Sequence, residues 1–166
     1  MSDVFIYTGE KGIGKSTYLQ ERFLQKSGAC GILQPRIDGI KYLVDVVSGE
    51  KKRLELDLLD PQEEVITIGN YAFSKETFRW GRQKLSEAAS SANNLLIVDE
   101  IGPLEFSSSG LEPELTKVIQ DGLSRQKNLL LVVRPKLVEE VKERYGVSNT
   151  VVIWYGEQIP SEIFNS

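Results

Sequence analysis

Val4-Phe5-Ile6-Tyr7-Thr8-Gly9-Glu10-Lys11-Gly12-Ile13-Gly14-Lys15-Ser16-Thr17 is the stretch on which the reading of the whole chain turns. Its first four residues form an uninterrupted apolar run, the pattern of a strand buried on both faces. Beyond the glycine-rich turn, Tyr18, Leu19, Phe23 and Leu24 recur at helical spacing, and Gly28 is expected to end that helix. Gly9, Gly14, Lys15 and Ser16 satisfy G-x-x-x-x-G-K-[ST] in the strand–turn–helix setting the pattern requires. Glycine permits positive φ and lets backbone approach a ligand without a Cβ in the way. Successive amides then form an anion nest at the positive end of the helix dipole. A phosphate-binding loop of Gly9, Glu10, Lys11, Gly12, Ile13, Gly14, Lys15, Ser16 and Thr17 is therefore expected. Lys15 would reach the β- and γ-phosphates of a nucleotide, and the Ser16 hydroxyl would be a Mg²⁺ ligand. The alternative is a glycine turn that merely joins strand to helix, but a chance match has odds of roughly one in a hundred or less. Lys11 is a second cation in the loop, either a γ-phosphate contact or a solvated lysine.

Working outward, Gly31-Ile32-Leu33, Val65-Ile66-Thr67-Ile68, Leu95-Leu96-Ile97-Val98, Leu129 to Val133, and Val151-Val152-Ile153 read as further strands. Helices are expected from Ser74, carrying Phe78, Leu85, Ala88 and Ala92; along Leu111, Leu115, Val118 and Ile119; and from Pro135, with Gly146 as its stop. Ile40 to Val47 and Leu54 to Leu58, around Ser48-Gly49-Glu50, read as a β-hairpin over about 39–58. The expected fold is α/β: a P-loop nucleotide-binding architecture with a mainly parallel sheet covered by helices on both faces, plus that antiparallel hairpin. With no linker or repeat visible, residues 1–166 read as one domain.

Leu95 to Val98 delivers Asp99 and Glu100 to the carboxyl end of their strand, where ligands bind in open α/β sheets. Asp99 is the candidate second holder of Mg²⁺, and Glu100 the candidate base for a water attacking the γ-phosphate. Solvated acids opening a loop are the alternative, weakened by the phosphate loop upstream. Asp99-Glu100-Ile101-Gly102 also fits the D-x-x-G of regulatory GTPases, yet no [NT]-K-x-D guanine-reading motif follows, so guanine selectivity is not expected. Arg134, after the strand ending at Val133, is the candidate catalytic cation; the alternative is an arginine that only opens the next helix. Arg36 is a weaker candidate for the same work. Tyr71 and Trp80 are read as core or surface residues ahead of base-stacking ones, and Glu105 as a structural loop acid.

The composition bounds the chemistry. There is no histidine, which removes Ser-His-Asp hydrolysis and His-ligated zinc. A formal charge of −4 argues against a nucleic-acid partner. No apolar run nears the roughly 18 residues of a membrane span, no export signal is visible, and Cys30 is the lone cysteine, so a cytoplasmic location is expected. Cys30 itself reads as a small buried hydrophobe.

Gly12 to Thr17, Gly39 to Asp45 with Ser48-Gly49-Glu50, Gly69-Asn70-Tyr71, and Asp99 to Glu105 together resemble the small cancer-related-type nucleoside-triphosphatases. The resemblance runs from the first strand to the helix near Tyr145. It implies a RecA-like P-loop fold and slow, Mg²⁺-dependent hydrolysis of several nucleoside triphosphates, ATP and GTP among them, to the diphosphate. Members usually carry Pro or another small residue where Lys11 stands and Thr where Ser16 stands. The last twenty residues, with Trp154 and Tyr155, lie outside the resemblance. Two rival readings stay open: a nucleoside or nucleotide kinase, and a nucleotide-dependent switch whose slow turnover times binding to a protein partner. A kinase of that type needs an arginine-bearing lid, for which only Arg79 and Arg82, on an expected helix, come forward.

Overall fold

Continuous apolar strands need cover on both faces, and the chain supplies it by alternating strands with helices. The computed structural model describes residues 2–57 and 64–165. Its first half runs β1 (Val4–Thr8), α1 (Lys15–Phe23), β2 (Ala29–Leu33), β3 (Arg36–Ile37), β4 (Ile40–Asp45), β5 (Lys51–Arg53), β6 (Glu55–Leu56), β7 (Val65–Ile68) and β8 (Tyr71–Ser74). Then come α2 (Lys75–Ser90), β9 (Leu95–Ile101), α3 (Pro103–Phe106), α4 (Glu114–Ser124), β10 (Asn128–Val133), α5 (Val138–Tyr145) and β11 (Thr150–Trp154). Short 3₁₀ turns lie at Pro135–Leu137 and Ser161–Phe164.

The main sheet has the order β11-β1-β10-β9-β2-β4-β3, with β5 also paired to β4. From β11 to β2 every pairing is parallel, whereas β4 joins β2 antiparallel. Alternate residues of each central strand feed opposite cores. Val4, Ile6, Cys30, Ile32, Leu96, Val98, Leu129 and Leu131 pack with Phe78 and Leu85 of α2, Leu115 and Val118 of α4, and Val141 of α5. Phe5, Tyr7, Leu33, Leu95, Ile97, Leu130 and Val132 pack with Leu19 and Phe23 of α1 and with Ile163. Each such aliphatic side chain withdrawn from water stabilises the fold by about 1.5–3 kcal/mol. Gly31 lets β2 and β9 close up: at φ +113°, a Cβ there would stand 2.0 Å from the Ile97 carbonyl oxygen. Cys30 is fully buried, its thiol directed at the Ala88 and Leu95 carbonyls, and burial raises its pKa.

The expected hairpin is present, with Tyr42 opposite Arg53 and Val44 opposite Lys51. Asp45 fixes its turn by accepting from the Ser48 amide at 3.1 Å and the Ser48 hydroxyl at 2.6 Å. Its second arm is Lys51–Arg53 and not the expected run from Leu54 to Leu58. After Arg53 the chain leaves for a separate three-stranded antiparallel sheet, β6-β8-β7. Leu58, the end of the expected hairpin, lies outside the described residues.

Other departures have local causes. α1 stops at Phe23 rather than near Gly28, because Gln25 takes φ +54° and turns the chain; Gly28, at φ +88°, shapes the entry to β2 instead. Val65–Ile68 joins the small sheet, not the parallel one, and pairs with β8, which the sequence reading lacked. A further tight hairpin joins β3 to β4 through Asp38-Gly39, both at positive φ, the backbone a two-residue hairpin loop requires. The helix starts from Ser74 as expected, with the Ser74 hydroxyl accepting from the Thr77 amide at 3.0 Å. It ends at Ser90, so Ala92 lies beyond it and exposed rather than on its buried face. Pro135 opens a 3₁₀ turn before α5, which ends at Gly146 in the left-handed region.

Candidate active site

The loop between β1 and α1 takes its shape from glycine. Gly12 and Gly14 hold φ of +77° and +108°, and Gly14 is the residue from which α1 starts. A Cβ on Gly9 would stand 2.9 Å from the Tyr155 Cβ, so this position tolerates no side chain without a shift. The Lys15 ammonium lies within the curl, donating to the Gly9 carbonyl at 2.5 Å and the Glu10 carbonyl at 2.9 Å. Burial lowers its pKa, and Glu100 and Asp99 oppose that shift. Lys11, Gly12, Gly14, Lys15, Ser16 and Thr17 line a hollow of about 190 Å³. Glu10 contributes its carbonyl, while its side chain and that of Ile13 are exposed.

β9 carries the two acids toward the same hollow, although β10 separates it from β1. The Asp99–Glu100 peptide is cis. Asp99 is buried; its Oδ2 accepts from the Gln34 amide at 3.0 Å, and its Oδ1 is buried with no hydrogen-bond partner. Desolvation, and then the Glu100 charge, push its pKa up to about 6, while the Ser16 hydroxyl and the Gln34 amide favour the charged form. A buried carboxylate oxygen without a donor, close to a serine hydroxyl, fits a small hard cation that takes oxygen ligands. Among the described residues no cluster of three or more His, Cys, Asp or Glu could hold a metal alone. A cation here would need further oxygens from phosphate or water.

Glu100 lines the hollow between two cations. Its Oε1 is 3.5 Å from Arg134 Nη2 and 3.6 Å from Lys41 Nζ. Arg134 combines both alternatives read from the sequence: it sits immediately before the 3₁₀ turn, and its guanidinium faces the site. Lys41 escaped the sequence reading. It is a hairpin lysine by pattern, and only the antiparallel attachment of β4 to β2 brings it to the end of β9. Gln34 and Arg36 line the hollow as well, from the segment after β2. Trp80 packs against the core under Lys52, outside this hollow.

Glu105 pins the loop after the acids. It is buried, and its carboxylate accepts from the Gly102 amide at 2.9 Å and the Leu111 amide at 3.1 Å. Burial raises its pKa to about 7, and those amides oppose the shift. Glu105→Ala would leave two buried N–H groups without partners, at a cost of about 2–4 kcal/mol. For a domain of this size the melting temperature should fall by roughly 6–12 °C. An unchanged thermal melt would show that Glu105 does not hold the loop.

The phosphate loop after the first strand, joined by acids from a strand one position beyond its neighbour, defines a P-loop nucleotide-binding protein. A family model described as NTPase matches residues 4–163, and the chain belongs to that nucleoside-triphosphatase family. It is 27% identical over 157 residues to the nucleoside-triphosphatase THEP1 of Thermotoga sp. (strain RQ2), covering 90% of this chain and 83% of that protein. It is also 27% identical over 156 residues to the nucleoside-triphosphatase THEP1 of Methanothermobacter thermautotrophicus, covering 89% and 85% respectively. Among solved structures, THEP1 from the hyperthermophile Aquifex aeolicus superposes with a TM-score of 0.67 at 22% identity, covering 96% of this chain and 91% of that one. At that identity the likeness speaks to the fold. Among the described residues, no helix is long and apolar enough to cross a membrane.

Proposed function

We propose that this chain, acting as one domain, hydrolyses nucleoside 5'-triphosphates to diphosphate and phosphate, with Mg²⁺ and with broad base tolerance. The observation that carries this reading is the convergence of Lys15, Ser16 and Glu100 on one hollow, with Asp99 buried next to Ser16 and its Oδ1 unpartnered. The amides of Gly9 to Thr17 bind the phosphates, and Lys15 leaves its loop carbonyls to neutralise charge between the β- and γ-phosphates. Ser16 and Asp99 hold the Mg²⁺, which offsets charge on the phosphate oxygens. Glu100 accepts the proton of the water that attacks the γ-phosphorus, opposite the departing diphosphate. Arg134 and Lys41, both beside Glu100, meet the charge that builds on the γ-phosphoryl oxygens.

Base tolerance is supported by what flanks the loop. Tyr155 lies against Gly9 through its Cβ and against Gly14 through the hydroxyl end of its ring, edge-on to Tyr18 at 6.5 Å between centroids. An aromatic face accepts any base, because every base has a π-face and stacking reads no donor pattern. Phosphate release from ATP, GTP, CTP and UTP, with and without Mg²⁺, tests the reading. All four should be turned over, and only with the metal. Failure to release phosphate from any of them would remove the hydrolase assignment. A preference for one base beyond about a thousandfold, roughly 4 kcal/mol, would reveal a base-reading pocket and remove the tolerance.

A further inference from the structure

The phosphate hollow opens into a second chamber of about 210 Å³ that water-driven hydrolysis does not require. The two share Lys11, Gln34, Arg36, Lys41, Glu100 and Arg134. Beyond that common wall the chamber is apolar, lined by Leu54, Ile68, Phe73, Phe78 and Leu104, with Tyr71 at its edge. Two features give it a chemical character. Its floor is aromatic: the Tyr71 and Phe73 rings stack at 6.2 Å with 15° between their planes. Its cations outnumber its acids. Lys11, Arg36, Lys41 and Arg134 face it, against Glu100 and a Glu105 whose carboxylate is taken up by backbone amides. Lys11 forms no ion pair among the described residues; its ammonium rests 5.1 Å from the Tyr71 ring centroid, and the Arg36 guanidinium lies 5.9 Å from it.

We propose that this chamber is a second small-molecule site, for a planar-ringed anion of nucleoside monophosphate chemistry, filled while a triphosphate occupies the loop. Stacking on an aromatic wall contributes about 1–3 kcal/mol per base and suits any base. Lys41 and Arg134, on the wall shared with the phosphate hollow beside Glu100, supply charge-assisted bonds to phosphate. Lys11 and Arg36 lie at the aromatic wall, Arg36 paired with Glu55 at 2.7 Å. The volume is below the usual 300–1,000 Å³ of a drug-sized pocket, so it takes one ring system, with the anionic end reaching the shared cations. That end lies beside Glu100, where the attacking water must stand, so occupancy excludes the water and slows hydrolysis. The second-site assignment rests on the triphosphate reading of the loop, and its test keeps the two apart.

The probes are AMP, GMP, CMP and UMP, titrated into the full chain saturated with Mg²⁺ and a non-hydrolysable ATP analogue. At least one should bind without displacing the analogue, and should lower phosphate release from ATP noncompetitively, threefold or more at saturation. Tyr71→Ala should weaken that binding tenfold or more, with analogue affinity changed less than threefold; Tyr71→Phe, which keeps the ring, should bind as the parent does. No binding by any probe at millimolar concentration, displacement of the analogue, or indifference to Tyr71→Ala would each overturn the second site. Failure of the analogue itself to bind, measured first and alone, would instead overturn the triphosphate reading.

Discussion

Lys15→Ala should weaken binding of the Mg²⁺-triphosphate a hundredfold or more while leaving the fold in place. Lys15 carries a compact charge on a flexible stem and sits within the curl of the loop. Charge-assisted bonds to phosphate are worth about 1.5–3 kcal/mol each, and a hundredfold in affinity is about 2.7 kcal/mol. Removing a single strong phosphate bond from a partly desolvated hollow therefore accounts for the effect. The fold should survive, because the ammonium's partners are the carbonyls of Gly9 and Glu10, beside an open hollow that water can enter. Equilibrium binding of the ATP analogue, run beside a thermal melt of both proteins, checks both halves. Unchanged affinity in a folded variant would remove the phosphate loop as the triphosphate site.

The parts of this molecule that were legible in its sequence are those whose cause is local. Gly9 to Ser16 carry their own conformation in the glycines, and the parallel strands announce themselves because burial on both faces demands unbroken apolar runs. Asp99 and Glu100 were legible because the apolar run of their strand ends in two acids at its carboxyl end, where open α/β sheets bind ligands, downstream of a phosphate loop. Lys41 was not. Its place beside Glu100 depends on β4 pairing antiparallel with β2 while β2 pairs parallel with β9, a tertiary fact that no spacing within the hairpin encodes. The small sheet was hidden for a similar reason. Leu54 and Leu56 continue the apolar pattern of the hairpin, yet Leu54 donates to the Lys41 carbonyl and accepts from the Ser74 amide, so the chain changes sheets there. Asp38-Gly39 did offer a usable signal, a two-residue turn between extended residues. Tyr155 offered none: its position on the phosphate loop follows from β11 lying next to β1.

Replacing Glu100 by glutamine should separate binding from turnover. The side chain keeps its size and its hydrogen-bonding reach but loses the basic carboxylate. General-base contributions are typically about 10² to 10⁴ in rate, or roughly 3–5 kcal/mol of barrier. Triphosphate binding should persist, because Lys15, Ser16 and Asp99 are untouched, and bound, unhydrolysed nucleotide should accumulate. Arg134 and Lys41 lose their carboxylate partner in this variant, and that has a separate signature. Freed cations next to the γ-phosphate would hold the triphosphate more tightly, so affinity should stay the same or rise while the rate falls. Asp99→Asn provides the contrast. It removes the charge from a buried carboxylate whose Oδ1 lacks a donor, so Mg²⁺-dependent binding should weaken together with the rate. Single-turnover hydrolysis alongside equilibrium binding, for both variants, distinguishes the two roles. If Glu100→Gln turns over at the parent rate, Glu100 is not the base, and the water must be activated by another group in the hollow.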